Sequence, residues 1–447
     1  WVALFGFGMK AGFFPLHIWL PSAHAKAPSH VSAIMSGVII KMGIYGLLRI
    51  TSLLPDPPAA WGVVVLALGA ISGVLGVAFA IGQHDLKRLL AYHSIENIGI
   101  ILMGIGLALI GRSAGRADWV MLGLAGALLH VWNHALFKSL LFLSAGSVIH
   151  AVHTREIDHL GGLAKRMPRT ALCFLVGAVA ICGLPPLNGF VSEFLIYLGL
   201  FGTLSKGQGP SYSGAAFAAP ALALIGALAV ACFVKVYGAV FLGTARSEHS
   251  RHVHESPGWM LGPMAVLVAC CFAIGLVPLA VAPALEKGVA AWAPGLARDA
   301  PSLLTLVPLD RIGSMGLLLI GGLTVAGVIV WRLLRRGPAA TGATWGCGFT
   351  APTARMQYTS SSFAQMLVGM FSGVLRPRIQ QPGELPLFPV TTAFHSEVPD
   401  TVLDTLVVPA VRSAGGLFSW FRVFQQGNIQ VYLLYIFVAL IALLFWR

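Results

Sequence analysis

The sequence predicts an all-α polytopic membrane protein, a bundle of spanning helices in which some are broken at mid-membrane. Three observations lead there. Of 447 residues, 57% are apolar and 10% charged, where a soluble domain carries about 45–50% apolar and about 25% charged residues. Ten runs, 1–20, 29–50, 61–82, 88–111, 119–149, 168–200, 218–243, 259–284, 313–334 and 427–446, have the roughly 20 mostly apolar residues that a crossing needs. Two of these runs are interrupted by proline near their middle. The apolar content excludes intrinsic disorder, and the lack of a G-X-Y period excludes a collagen-like chain. A net charge of +13 would point to nucleic acid in a soluble protein. Here the basic groups sit in short loops between apolar runs, so the expected partner is the lipid bilayer, with its anionic cytoplasmic leaflet, and not nucleic acid.

The first run starts at Trp1, already inside an apolar stretch and without a signal peptide. The chain therefore reads as a fragment that has lost N-terminal membrane segments. Within GFGMKAGFFPLHIWLP, Pro15 interrupts the run. The run 119–149 exceeds one crossing and predicts a tilted or projecting helix. The run 168–200 carries Pro185, Pro186 and Gly189 at its centre. Proline removes a backbone donor and clashes with the preceding turn, and freed backbone groups are tolerated at membrane depth only where protein or water satisfies them. Two such breaks point to inverted repeats. On that reading residues 1–50 end a truncated first repeat, 51–243 form the second, and 244–334 add further transmembrane helices.

Residues 335–426 hold Gly, Pro, Ser and Thr with amphipathic stretches near 353–375 and 398–424. They read as a lateral segment lying along a surface on the cytoplasmic side. Pro409 and Gly415–Gly416 predict separate segments, not one rod. Residues 427–447 then form a C-terminal anchor. Taking the spans alternately, one side collects Lys26, Lys87, Arg88, Arg155, Lys165, Arg166, Arg169, Arg246 and Arg251; the other collects Arg112, Arg116, Lys206, Lys287, Arg298 and Arg311. The first side is expected to be cytoplasmic.

Five of the six cysteines, Cys173, Cys182, Cys232, Cys270 and Cys271, lie in apolar runs, Cys347 does not, and no C-x-x-C pair exists. They read as small buried hydrophobes, so no metal and no redox cofactor is expected on this chain. His249, His252 and His254 resemble a metal cluster but lie in a polar loop without thiolates, which favours a solvated loop.

Several spans hold ionisable groups away from their ends: Lys10, Lys41, His130, His134, Lys138, Glu193 and Lys235. Each costs about 2.5–3.5 kcal/mol at the bilayer centre on insertion scales, so the set reads as a polar pathway. His130, His134 and Lys138, spaced i, i+4, i+8, share one helix face. Imidazoles titrate near neutral pH and a desolvated lysine moves toward it, which suits proton relay. Lys235 is read equally well as snorkelling to its span's end. His17, His24 and His30 surround a loop, where capping or interfacial roles are expected. His93 and Glu96 lie in the first turns of their helix, where Glu96 is expected to complement the macrodipole.

These residues fall in stretches that resemble a known family, the antiporter-like membrane subunits of respiratory complex I, related hydrogenases and multisubunit cation/proton antiporters. The stretches are KAGFFPLHIWLPSAHAKAPSHVSA, KMGIYGLLR, DLKRLLAYHSIENIG, HVWNHALFKSLLFLSAGSV and GLPPLNGFVSEF. REIDHLGGLAKRMP, ACFVKVYGAVFLG and the WGCGF…RMQYTSSSF tail resemble its branch of hydrogenase-four component B and formate hydrogenlyase subunit three. The resemblance implies an antiporter core of two inverted repeats in a bacterial-type inner membrane. It also implies a non-redox, proton-translocating subunit of an oxidoreductase complex of NADH:quinone oxidoreductase or hydrogenase type. Its partners would be other membrane subunits and soluble hydrogenase-like and iron–sulfur subunits. Under the resemblance Lys10 matches the lysine before the first break, Lys41 the central-axis lysine, His130, His134 and Lys138 the connecting helix, and Glu193 a position filled by Lys or Glu. The glutamate that pairs with Lys10 in the family would precede Trp1. Two alternatives stand beside this reading: a subunit of a multisubunit sodium/proton antiporter without redox partners, and a silent membrane scaffold. The buried charges disfavour the scaffold.

Overall fold

The computed structural model describes the chain except residues 56, 207–213, 251–252, 298–299, 336–347, 349–350, 352, 355, 381, 384–393, 425–426 and 447. Cys347, Arg251, Arg298, His252 and most of the WGCGF stretch lie outside the described residues. The chain divides into two units, Trp1–Val398 and Pro399–Arg447.

The first unit is built of helices α1 (Val2–Ala11), α2 (Leu20–Lys26), α3 (Ser29–Leu53), α4 (Ala59–Ile81), α5 (Leu86–Ser113), α6 (Ala117–Val152), α7 (Pro168–Ile181), α8 (Asn188–Lys206), α9 (Ala218–Phe241), α10 (Gly258–Leu276), α11 (Ala282–Trp292), α12 (Leu309–Arg335) and α13 (Ser360–Met370). Among the described residues seven helices are long and apolar enough to cross a bilayer: α3, α4, α5, α6, α9, α10 and α12, the α9 stretch counted from Gly214. The remaining predicted runs are shorter helices. The first run is α1 and α2 around an irregular break that begins at Gly12, in the left-handed region at φ 73°, and so ahead of Pro15. The sixth is α7 and α8, separated at Cys182–Leu187. Helix α6 has 36 residues, about 54 Å at 1.5 Å per residue, and so projects past a hydrocarbon core of about 30 Å.

The bundle is apolar both inside and out, with polar side chains set within its core. Apolar side chains such as Leu172, Val234, Leu318 and Val325 face outward, while polar ones line the interior. Helix α5 is the hub, its most apolar stretch wholly enclosed by protein. Its tightest partner is α4, because glycines recur every seven residues on both helices. A Cβ on Gly69 would stand 2.7 Å from the Gly99 carbonyl oxygen, one on Gly76 2.7 Å from the Glu96 nitrogen, and one on Gly106 2.5 Å from the Leu66 nitrogen. Small residues at such spacing let backbones touch, which is how helices associate without a hydrophobic drive between them.

Three features depart from the sequence reading. The run 259–284 stops at Leu276, and α11 then packs on α6 and α3; Pro278 ends the first helix, and an 11-residue helix is too short to stand out as a span. A two-stranded antiparallel ribbon pairs β1 (Arg378–Gln380) with β2 (His395–Glu397), strands too short for a period-2 pattern to register. In the second unit Pro409 and Gly415–Gly416 do not segment the helix. Thr401–Phe424 winds continuously through a π turn at Leu403–Val407, α14 (Val408–Ser419) and a 3-10 end at Trp420–Phe424. The wider π turn lies immediately before Pro409, at the turn where the proline ring and its missing N–H would otherwise disturb α winding. Rings of Phe418, Trp420, Phe421, Phe424 and Tyr435 cluster there, ahead of α15 (Ile429–Phe445).

Within the first unit, Ser360, Ser396 and Val398 are fastened to the α4–α5 turn and to Asp158 of the α6–α7 loop. His84 Nδ1 lies 2.8 Å from Asp158 Oδ2 and its Nε2 3.1 Å from Ser396 Oγ. The Ser360 amide donates to Asp158 Oδ1 at 2.8 Å, and Gln83 Nε2 donates to the Val398 carbonyl at 3.3 Å. Burial opposes the Asp158 charge, but the His84 hydrogen bond and charge and the Ser360 amide outweigh it and hold the carboxyl below its usual 3.8. A depressed carboxyl stabilises above its unfolded value and loses that contribution as pH falls through the folded one, so acid weakens the fastening. Asp158→Asn is expected to raise proteolytic or hydrogen-exchange accessibility of 357–380 in the assembled protein at neutral pH. Unchanged protection would show that the carboxylate holds nothing.

The basic end of the bundle gathers the α2–α3 turn, the α4–α5 turn and the α6–α7 loop. A cysteine at exposed Lys165 is expected to react with an impermeant maleimide only from the cytoplasmic side. Labelling from outside alone reverses the orientation.

Candidate functional site

The interior of the first unit holds one connected set of polar side chains on α3, α5, α6 and α8. Helix α3 contributes Ser36 and Lys41, both buried. A π turn at Met35–Ile39 interrupts it, so the Ser36 carbonyl is open to the Lys41 ammonium, which donates to it. Ser36 Oγ lies 2.8 Å from Ser94 Oγ on α5. Such turns recur at functional positions because they leave backbone groups unpaired and rotate side chains out of register.

Helix α5 begins at Leu86, capped by the Asp85 carboxylate on the Lys87 and Arg88 amides at 2.8 and 2.9 Å. Glu96 is therefore three turns inside the helix, beyond the reach of the dipole at its start, and the expected macrodipole role gives way to an interior one. It is 1% exposed, is hydrogen-bonded with His93 Nδ1 and lies 3.5 Å from Asn97 Nδ2. Lys87, counted among the loop cations, is turned inward and donates to the Ala27 carbonyl.

Helix α6 places His130, His134 and Lys138 one above the other, all fully buried. His130 Nε2 lies 3.1 Å from Asn97 Oδ1, and its Nδ1 lies 2.9 Å from Ser192 Oγ on α8. Asn133 Nδ2 donates to Ser192 Oγ at 3.0 Å and to the Asn188 carbonyl at 2.7 Å, and Asn188 Nδ2 donates back to Asn133 Oδ1 at 3.1 Å. Lys138 donates to the Leu90 carbonyl, with its Nζ 5.4 Å from the Phe142 ring centre. Its charge reaches Glu96, Lys41 and His24. Both ring nitrogens of His134 are buried without a hydrogen bond to the described residues, as are those of His24, which stacks on Phe142 at 4.8 Å. His24 thus belongs to the interior and not to a loop surface, whereas His30 is exposed. His17 is fully buried as well, stacked on Phe14 at 3.8 Å.

Glu193 is in the second turn of α8 and 7% exposed. Gly183, at φ +62°, leaves the space its carboxylate occupies: an added Cβ would overlap that carboxylate. The charge of Glu96 reaches Glu193, and neighbouring Ser192 ties α8 to His130.

The structure thus brings together Lys41, His130, His134, Lys138 and Glu193. It does not bring Lys10 to them: Lys10 is in the exposed last turn of α1. Lys235 is 2% exposed and donates to the carbonyls of Ile81 and Gln83 at 2.5 and 3.0 Å. It satisfies the end of α4 and does not snorkel. Glu96, Asn97, Asn133, Ser192 and Ser36 went unremarked as members of the line, although a carboxylate and two asparagines inside apolar runs are a legible signal. Among the described residues no three His, Cys, Asp or Glu side chains are grouped as a metal site would require.

A family described as the membrane-spanning part of NADH:quinone oxidoreductase and the Mrp antiporter matches residues 1–205. The chain is 40% identical to hydrogenase-4 component B of Escherichia coli (strain K12), covering 99% of this chain and 68% of that protein. It is 36% identical to formate hydrogenlyase subunit 3 of the same organism, over 84% of this chain and 60% of that one. A chain of an archaeal respiratory membrane complex, the membrane-bound sulfane sulfur reductase, has the same fold at a TM-score of 0.70 and 25% identity, with 99% of this chain and 67% of that chain aligned.

Proposed function

We propose, from the premise that this chain belongs to the NADH:quinone oxidoreductase/Mrp antiporter membrane family, that Lys41, His134, Lys138, Glu96 and Glu193 carry protons along the bundle interior. The chain is an antiporter-like membrane subunit of a respiratory-type complex, and its relatives are subunits of such complexes. In the proposal the electrons move in partner subunits of hydrogenase type, and this subunit moves ions. In the proposal residues 51–243 make up one inverted repeat.

The observation that carries the proposal is the continuous line Glu96–Asn97–His130–Ser192, with Lys138 beside one end and Glu193 next to the other. Apolar burial does not account for it, since uncompensated polar groups at this depth cost several kcal/mol each. Unit charges about 6 Å apart at an effective dielectric near 20 interact by about 3 kcal/mol. A proton arriving at one site therefore resets the next. The two imidazoles without hydrogen bonds, His134 and His24, suit a hydrated path, where water supplies partners.

The test is purification of the intact complex, identification of its soluble subunits, and measurement of acidification in vesicles on adding its electron donor. Redox-driven proton movement with hydrogenase-like and iron–sulfur subunits present supports the proposal. Sodium-dependent exchange without redox partners would establish the multisubunit antiporter instead.

A further inference from the structure

A cavity of about 700 Å3 opens at the basic end, where the α2–α3 turn, the start of α5, the end of α6 and the start of α10 meet. That is within the usual size range of ligand pockets, about 300–1,000 Å3, and far more than a bare inorganic anion fills. Its lining carries Lys26, His30, Lys87, His150 and Arg155 and no Asp or Glu. Two of these basic side chains are engaged: Lys87 donates to the Ala27 carbonyl, and Arg155 donates to the Ala25 carbonyl and pairs with Asp85 at 3.2 Å. Lys26, His30 and His150 are exposed and make no hydrogen bond or ion pair among the described residues. The apolar part of the lining includes Ile149 of α6 and Pro263 of α10, with Trp259 in the first turn of α10, 76% exposed.

A cationic rim, an apolar wall and an interfacial tryptophan suit an amphiphile with an anionic head. The cavity also lies at the end of a membrane-spanning bundle, where headgroups are found. We propose that it binds an anionic phospholipid, whose phosphate is held by Lys26, His30 and His150 and whose acyl chain lies along Ile149 and Pro263. None of these residues belongs to the proton line, so the site stands or falls separately from it.

The test uses the whole complex purified in mild detergent. Native mass spectrometry reads the phospholipid it retains. Thermal stability is then read after partial delipidation and addition of phosphatidylglycerol vesicles, phosphatidylcholine vesicles, or inorganic phosphate at equal ionic strength. The wild type should retain anionic phospholipid and be stabilised by phosphatidylglycerol alone. The variant Lys26→Gln/His30→Gln/His150→Gln should retain about tenfold less, and arginine at the same three positions should restore retention. Equal stabilisation by phosphatidylcholine overturns the preference for an anionic head, and equal stabilisation by phosphate makes the ligand a free anion. Unchanged retention in the glutamine variant, or loss in the arginine variant, overturns the assignment of these side chains.

Discussion

Replacing Lys41 or Glu193 by alanine is expected to abolish proton translocation while leaving the complex assembled. Both side chains are buried, and neither joins two helices by a side-chain hydrogen bond that the fold would lose. Lys41 bonds the carbonyl of Ser36 on its own helix, and Glu193 fills a space kept open by Gly183. Under the proposal, losing either removes a site that each transferred proton must occupy. A fall of about tenfold or more corresponds to a barrier raised by about 1.4 kcal/mol or more. Electron transfer, located in other subunits under the proposal, should slow or uncouple. The measurement is proton uptake in vesicles, with assembly followed on native gels. Full pumping by an assembled Lys41→Ala or Glu193→Ala complex would return both residues to a structural role. His130→Ala is a less clean probe, because His130 bridges Asn97 and Ser192 across three helices.

Gly99→Val is expected to have the largest effect on folding. A Cβ there would stand 2.5 Å from the Gly69 carbonyl oxygen, and backbone cannot swing aside as a long side chain can. Overpacking costs about 1–3 kcal/mol where neighbours yield, and more where they do not. The contact is with α4, and α5 has protein on all sides, so the strain would spread to His93, Glu96 and Asn97. Little or no assembled complex is expected on native gels. Gly226→Val, at a position with nothing within 4 Å, is the control and should assemble. Normal assembly of Gly99→Val would mean that α4 and α5 can separate without cost.

Most of the spans were legible because bilayer thickness imposes a length that composition reports directly. The lysines and histidines of the site were legible for the same reason: a charge in an apolar run is conspicuous by its cost. The neutral members Asn97 and Asn133 were there to be read, as polar groups inside apolar runs, but their roles show only through partners on other helices. Glu96 was misassigned because it was counted among the first turns of its helix, whereas the helix starts at Leu86 behind the Asp85 cap and Glu96 lies nearly three turns in. The continuity of 401–424 was hidden because proline and paired glycines read as breakers, whereas a π turn at Leu403–Val407 directly precedes Pro409 and the winding continues through it. The attachment of Ser360 and Ser396 through Asp158 and His84 joins residues far apart in sequence, and no local pattern announces it.

The π turn at Met35–Ile39 makes α3 a helix with one residue too many for its length, and that surplus sets its phase. Each residue of an α-helix advances the azimuth by about 100°. Deleting a single residue between 35 and 39 would let the turn relax into ordinary winding and rotate everything on one side of it by about that angle. Lys41 would then leave the interior for the lipid, although every side chain of the polar line was still present. The site is therefore set by the count of residues as much as by their identity, and a one-residue deletion there would act as a charge reversal of the helix face.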